Sequence, residues 1–169
     1  MQKKYIFKPY SEKFPVLFSK EAEGLRKLLP KQTMVEHVGS TAIPGLGGKG
    51  IIDIAIAASQ EKWPQLSPTL IEFGYEFQPR FSTEERLFFK AQRADPEEGH
   101  RTYHIHLMDG ASNQWLDMVF FRDYLRKYPE AMKEYAKIKE KAASEAHGQG
   151  EVYRKSKQPF LQEILRKRK

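Results

Sequence analysis

The chain has 169 residues, of which 40% are hydrophobic and 12% aromatic. That is enough apolar surface to offset the backbone entropy lost on folding, so residues 1–169 read as a single packed domain. No apolar run approaches the roughly 20 residues that cross a bilayer, since the most apolar stretch, Ile51 to Ala58, is broken by Asp53. Lys3 and Lys4 lead into Lys8, Pro9 and Ser11 instead of the apolar centre of a signal peptide. A cytoplasmic protein with no membrane association is expected. Without cysteine, disulfides and thiolate metal sites are excluded, and any metal must be held by carboxylate or imidazole.

The net charge of +7 first suggests nucleic acid, but its distribution matters more than its sum. Residues 154–169 carry seven lysines and arginines against Glu163 alone, a net of +6, which leaves +1 for the other 153 residues. A basic helix end facing solvent, favoured by the helix dipole, explains this tail more simply than a nucleic-acid footprint.

Along the chain, Phe14, Leu17, Phe18, Ala22, Leu25, Leu28 and Leu29 recur at helical spacing, with Ser11 as the expected N-cap and Pro30 beyond the end. Thr33 to Val38 reads as a strand, Gly39 to Thr41 as a turn, and Pro44 to Gly48 as a loop. A second strand, Gly50 to Ala57, places Ile52, Ile54 and Ile56 on one face and Asp53 and Ala55 on the other. Ser59 is positioned to cap a helix carrying Trp63, Leu66, Leu70 and Phe73, with Gly74 at its exit. Tyr75 to Pro79, Arg86 to Gln92 and Arg101 to Leu107 read as short strands, the last two forming a hairpin around Asp95 to Gly99. Helical stripes follow through Trp115 to Tyr124, through Met132 to Ala142, and through Phe160 to Leu165 after Pro159. The sum is an α+β fold: a mixed sheet flanked by helices, with a helical C-terminal part.

The chemistry concentrates in residues 37–54. A strand ends in Gly39 and Ser40, the chain loops, and a second strand brings Asp53 to the same edge. Glycine lets backbone amides approach an anion and a serine hydroxyl adds a hydrogen bond, so this corner suits phosphate. Asp53 is a hard oxygen ligand for a divalent metal, Mg²⁺ or Mn²⁺, beside those phosphates; its alternative is an ion pair with Lys49 or a later arginine. His104 and His106 alternate along one strand and share a face. With Asp53 they form a candidate catalytic and metal-binding set, one imidazole acting as general base, and hydrogen-bonded structural histidines are the competing reading. Arg86 and Lys90 share a face with Phe88 and are suited to clamp a polyphosphate; a solvated edge strand explains them as well. Thr41, Lys49 and Lys157 complete the candidate phosphate contacts, although Lys157 reads more simply as a surface lysine. His37 either shapes the turn or touches ligand.

Gly39, Ser40 and Asp53 resemble the motif of DNA polymerase beta-type nucleotidyltransferases, in which a Gly-Ser pair precedes a strand bearing two alternate acids. The second acid position is Ala55. The whole chain is similar to the GrpB-like family of that superfamily, through His-Val-Gly-Ser-Thr-Ala-Ile-Pro-Gly-Leu at 37–46, Ile-Ile-Asp-Ile at 51–54 and Tyr-His-Ile-His-Leu at 103–107. Phe-Arg-Asp-Tyr-Leu-Arg at 121–126 and the segment 153–160 also fit. The resemblance implies the nucleotidyltransferase fold and, because some relatives are fused to dephospho-coenzyme A kinase, nucleotide or coenzyme chemistry. It leads to the expectation of a protein that binds a nucleotide or phosphorylated metabolite and transfers a nucleotidyl group to a small acceptor. The alternative is a binding module that has lost two-metal catalysis at Ala55.

Overall fold

The computed structural model describes residues 6–169, so Lys3 and Lys4, on which the leader-peptide reading turned, lie outside the described residues. Among them, no helix is long and apolar enough to cross a membrane.

The first helix, α1 (Phe14–Leu28), is followed by β1 (Met34–Val38), a 3₁₀ turn at Ser40–Ala42, and β2 (Ile52–Ala57). Next come α2 (Trp63–Glu72), β3 (Glu76–Phe77), β4 (Arg86–Asp95) and β5 (Gly99–Met108). Three helices end the chain: α3 (Asn113–Lys127), α4 (Pro129–Glu145) and α5 (Gly150–Arg166). The strands form one sheet in the order β1-β2-β5-β4-β3. Only the β2 and β5 pair is parallel, and its crossover passes through α2.

Strand alternation decides which side of the sheet is dry. Ile52, Ile54, Ile56, Ile105 and Leu107 all face the side on which α1 and α2 deliver Ala22, Leu25, Trp63 and Leu70, making the main core. The opposite face is most apolar toward β1 and β2, where Val38, Ala55 and Ala57, with Met108 of β5, pack on Trp115 of α3. A separate cluster joins Ile43 and Leu46, in the loop after β1, to Leu125, Tyr135 and Phe160 of the C-terminal helices. The loop that follows Ser40 is thereby clamped between sheet and helices.

Four local expectations are corrected. Lys13, not Ser11, is the N-cap of α1; Ser11 Oγ instead accepts a bond from the Lys13 amide (3.2 Å), because Pro15 in the first turn presets the helix to start at Phe14. Ser59 precedes a 3₁₀ turn at Gln60–Lys62, without a side-chain cap, and α2 starts after that turn. Pro159 lies inside α5 and does not begin it. The amide bond it forgoes is offset by Tyr153, Phe160 and Ile164, all buried on that helix. β3 is also shorter than the expected Tyr75 to Pro79, because the chain enters a 3₁₀ turn at Pro79–Phe81.

Arg101 ties the hairpin to the strand that carries the site. Its Nε donates to Asp95 Oδ2 (2.8 Å) and its Nη1 to Gly50 O (2.9 Å), both partners of the pair being buried. Asp95 Oδ1 meanwhile accepts the amides of Glu97 and Glu98 at the hairpin tip. Removing the guanidinium strands a buried carboxylate and releases the residue two places before β2. Arg101→Met is therefore expected to lower stability by about 3 kcal/mol, measured by urea denaturation; a loss within the noise of a surface substitution contradicts this role.

Candidate functional site

β2 and its two neighbours build the site. Asp53 is in register with Val38 of β1 on one side and His104 of β5 on the other. Gly39, immediately after β1, has φ +74°, and a Cβ there would lie 2.6 Å from Asp53 Oδ2. Both the left-handed backbone and the missing side chain are thus required for the turn to lie on the carboxylate. The corner and the carboxylate meet in one cleft.

His106 Nε2 lies 3.1 Å and His104 Nδ1 3.4 Å from the same oxygen, Asp53 Oδ1. A carboxylate can only accept, so the imidazole N–H donates. Burial pushes the Asp53 carboxyl up, but the bonds and charge of His104 and His106 outweigh it and hold the group well below the usual carboxylate range. His106 Nδ1 is buried with no protein partner.

Asp53 and Gly39 stand at the junction of two adjoining cavities. The larger, about 420 Å³, is walled by Ile43, Met118, Phe121, Leu161 and Leu165, with Arg86 and His106 at its polar edge. The smaller, about 230 Å³, is lined by Ser40, His104, Tyr153 and three lysines, Lys49, Lys139 and Lys157. Tyr153 carries two of them on its ring, Lys157 Nζ at 4.2 Å and Lys49 Nζ at 5.5 Å from its centroid. Lys139 is only 4% exposed and stands 5.6 Å over the Tyr135 ring. A Cβ on Gly48 would come within 2.7 Å of both Lys139 Nζ and Ser40 Oγ, so Gly48 keeps that end of the cavity open.

Ser40, Lys49 and Lys157, expected to contact phosphate, are therefore brought together with Gly39 and Asp53, and Arg86 reaches the adjoining cavity. Thr41 and Lys90 are not. Thr41 is buried, and its hydroxyl donates to Ile51 O (3.0 Å) and lies 2.9 Å from His37 Nε2. Lys90 is exposed, across the ladder from His104, and lines neither cavity. His37 lies on the core face, stacked on Phe18. Burial and then Arg126 lower its pKa to about 4, so it is a neutral ring that shapes the turn.

Lys139, Tyr153 and Gly48 escaped the sequence reading. A signal for Lys139 was present: it follows Tyr135 by four residues and precedes Ala142 by three, a lysine within the apolar stripe of α4.

Two-metal chemistry needs several carboxylates at one point. Ala55 is fully buried where the second acid would stand, and Glu36, beside it across the β1 ladder, is bonded to Arg122 Nη1 (2.5 Å). Among the described residues, no group of three or more His, Cys, Asp or Glu side chains is arranged to hold a metal ion. The cage expected from Asp53, His104 and His106 is instead a hydrogen-bonded set, both rings aimed at one carboxylate oxygen. A Mg²⁺ that arrives with phosphates needs only one or two protein carboxylates, and Asp53 alone fits that demand.

The basic C-terminal end is partly folded back. Arg168 donates to Asp117 Oδ1 (2.6 Å) and Asn113 Oδ1 (3.1 Å), and Lys167 Nζ to the Tyr124 hydroxyl (3.0 Å). These bonds hold α5, with Leu161 and Leu165, against the larger cavity.

Burial and then the neighbouring Lys157 push Lys139 down to about 7, and burial and then Lys49 push Lys157 down to about 8. An anion between them favours their charged forms, so binding draws in protons. Affinity for pyrophosphate is expected to fall at least about tenfold from pH 7 to pH 9, with net proton uptake near pH 8 when calorimetry is run in two buffers of different ionisation heat. Without ligand, the unfolded chain keeps the Lys139 proton up to its ordinary 10.5 while the folded chain releases it near 7. Stability should therefore rise with pH across that window, and Lys139→Met should flatten the rise; an unchanged slope in denaturation curves contradicts the assignment.

The family described as GrpB protein matches residues 5–167. The chain is 36% identical over 160 residues to the UPF0157 protein PA4798 of Pseudomonas aeruginosa, covering 93% of this chain and 64% of that one. The crystal structure of the conserved protein GrpB from Enterococcus faecalis superposes with a TM-score of 0.78 at 28% identity, over 96% of this chain and 98% of that one. The Cid1 poly(U) polymerase, solved with MgGTP, superposes with a TM-score of 0.50 at 15% identity, over 78% of this chain and 45% of that one. This last likeness is one of fold, the nucleotidyltransferase-like arrangement of sheet and helices.

Proposed function

Since the chain belongs to the GrpB protein family and has the nucleotidyltransferase-like fold, we propose that it binds a nucleotide in the two-lobed cleft around Asp53. The observation that carries this reading is the position of Asp53 between a lobe with three lysines and a lobe with apolar walls. Phosphates, multiply charged and hydrated, are matched by Lys49, Lys139, Lys157 and the Ser40 hydroxyl. The nucleoside is matched by the larger lobe, where Phe121 offers an aromatic face.

In the catalytic form of this reading, Asp53 orients the two imidazoles and one of them, His104 or His106, takes the proton of an acceptor hydroxyl. A divalent cation, Mg²⁺ or Mn²⁺, would be held by Asp53 and would offset charge on the phosphates. One observation favours the second reading, a binding module without turnover: Ala55 leaves the cleft without a second acid.

Calorimetry with the four ribonucleoside triphosphates, with and without Mg²⁺ or Mn²⁺, tests the site. Lys157→Ala and Ser40→Ala should each weaken binding, Lys157→Ala by roughly tenfold or more as a charge-assisted bond is lost. Binding that neither variant alters rejects this cleft. Release of pyrophosphate or a nucleotidylated product distinguishes the enzyme from the module.

A further inference from the structure

The two-stranded ribbon of β4 and β5 has one covered face and one open face. Tyr103, Ile105 and Leu107 on β5 and Phe89 and Ala91 on β4 are buried, whereas the residues between them are half-exposed or exposed. The open face carries Arg86, Phe88, Lys90 and Gln92, paired across the ladder with Met108, His106, His104 and Thr102. Apart from Met108, which is buried in the cluster around Trp115, it is a polar and aromatic row.

Aromatic rings run along this row from solvent to the cleft. Phe81, 53% exposed, lies 6.0 Å from Phe88. Phe88 in turn packs at steep angles against His104 and His106, ring centroids 4.8 and 5.1 Å apart, and those imidazoles contact Asp53. Cations flank the rings. Arg86 has a buried Nε with no hydrogen-bond partner, and Lys90 is exposed one strand repeat beyond Phe88. The acid in register with the row is Glu76, opposite Lys90 at the far edge, and Glu85, before β4, accepts a bond from Gln114 (2.9 Å).

Rings that offer a face, set on a sheet among cations, match the alternation of flat bases and phosphates in an unpaired strand, because every base has a π-face and stacks without regard to sequence. We propose that the open face of β4 and β5 binds single-stranded nucleic acid, a base lying on the exposed ring of Phe81, which Phe88 backs edge-on, and the backbone against Arg86 and Lys90. This places the nucleic-acid contact on sheet residues and not on the basic residues of the C-terminal end. The row joins the cleft at Arg86 and His106, so the strand's end is delivered beside Asp53. The surface stands on its own geometry; only an acceptor role for that end rests on the nucleotide reading above.

Fluorescence anisotropy of the full chain with short labelled single-stranded RNA and DNA, at low salt of about 50 mM, tests the proposal, the two arms identifying the sugar preferred. Phe81→Ala, at an exposed position that folding does not need, should weaken binding about tenfold. Lys90→Gln should reduce the slope of log affinity against log salt by about 0.7. The tail variants Arg166→Ala and Lys169→Ala should leave the Phe81 effect intact. Absence of binding to either nucleic acid overturns the proposal, as does binding indifferent to Phe81→Ala and Lys90→Gln. Mononucleotide calorimetry on the same proteins separates the two ideas: strand binding without mononucleotide binding refutes the cleft reading alone, and the reverse refutes the platform alone.

Discussion

The arrangement depends on the close approach of a glycine to a carboxylate. Gly39 turns the chain at positive φ directly over Asp53, leaving no space for a side chain between the backbone and the carboxylate. The same carboxylate accepts both imidazoles of β5 through one oxygen. Three strands, β1, β2 and β5, are thereby locked at the point where the two cavities meet. A change at any of the three would be felt at the junction, since a packed backbone turn does not yield gradually.

Around that junction the electrostatics are uneven. The charge of Asp53 is sustained by imidazoles, while in the smaller lobe Lys139 bears both burial and the like charge of Lys157. A buried lysine beside a like charge, Lys139 next to Lys157, raises the free energy of the empty protein, and an anion between the two recovers that energy on binding. Such a lobe is hard to explain as a device for stability and easy to explain as a receptor for charge. Ala55 points the other way for catalysis, because a buried methyl replaces the oxygen ligand that two-metal phosphoryl transfer uses.

The C-terminal helices contribute more than their sequence suggests. Their basic residues are divided between exposed positions, bonds to α3, and the lysine lobe, so a net charge of +6 is not one surface. The sheet face of β4 and β5 carries less charge and a row of rings in mutual contact.

How much of this was legible beforehand differs by element. The alternation of Ile52, Ile54 and Ile56 with Asp53 and Ala55, the hairpin at Asp95 to Gly99, and the pairing of Gly39 and Ser40 with Asp53 follow from periodicity and turn chemistry, which are local and survive in one dimension. The withdrawal of Thr41 follows from side-chain bonds to Ile51 and His37 that carry no periodic signal, and the internal Pro159 and the arrival of Lys139 between Ser40 and Lys157 follow from packing between segments about 90 to 120 residues apart. Side-chain contacts at that separation leave no regular spacing in a single sequence. The sequence alone determined which strand edge holds the carboxylate, because alternation allows one answer; tertiary structure decided which cations and rings surround it, because that depends on how the helices close over the sheet.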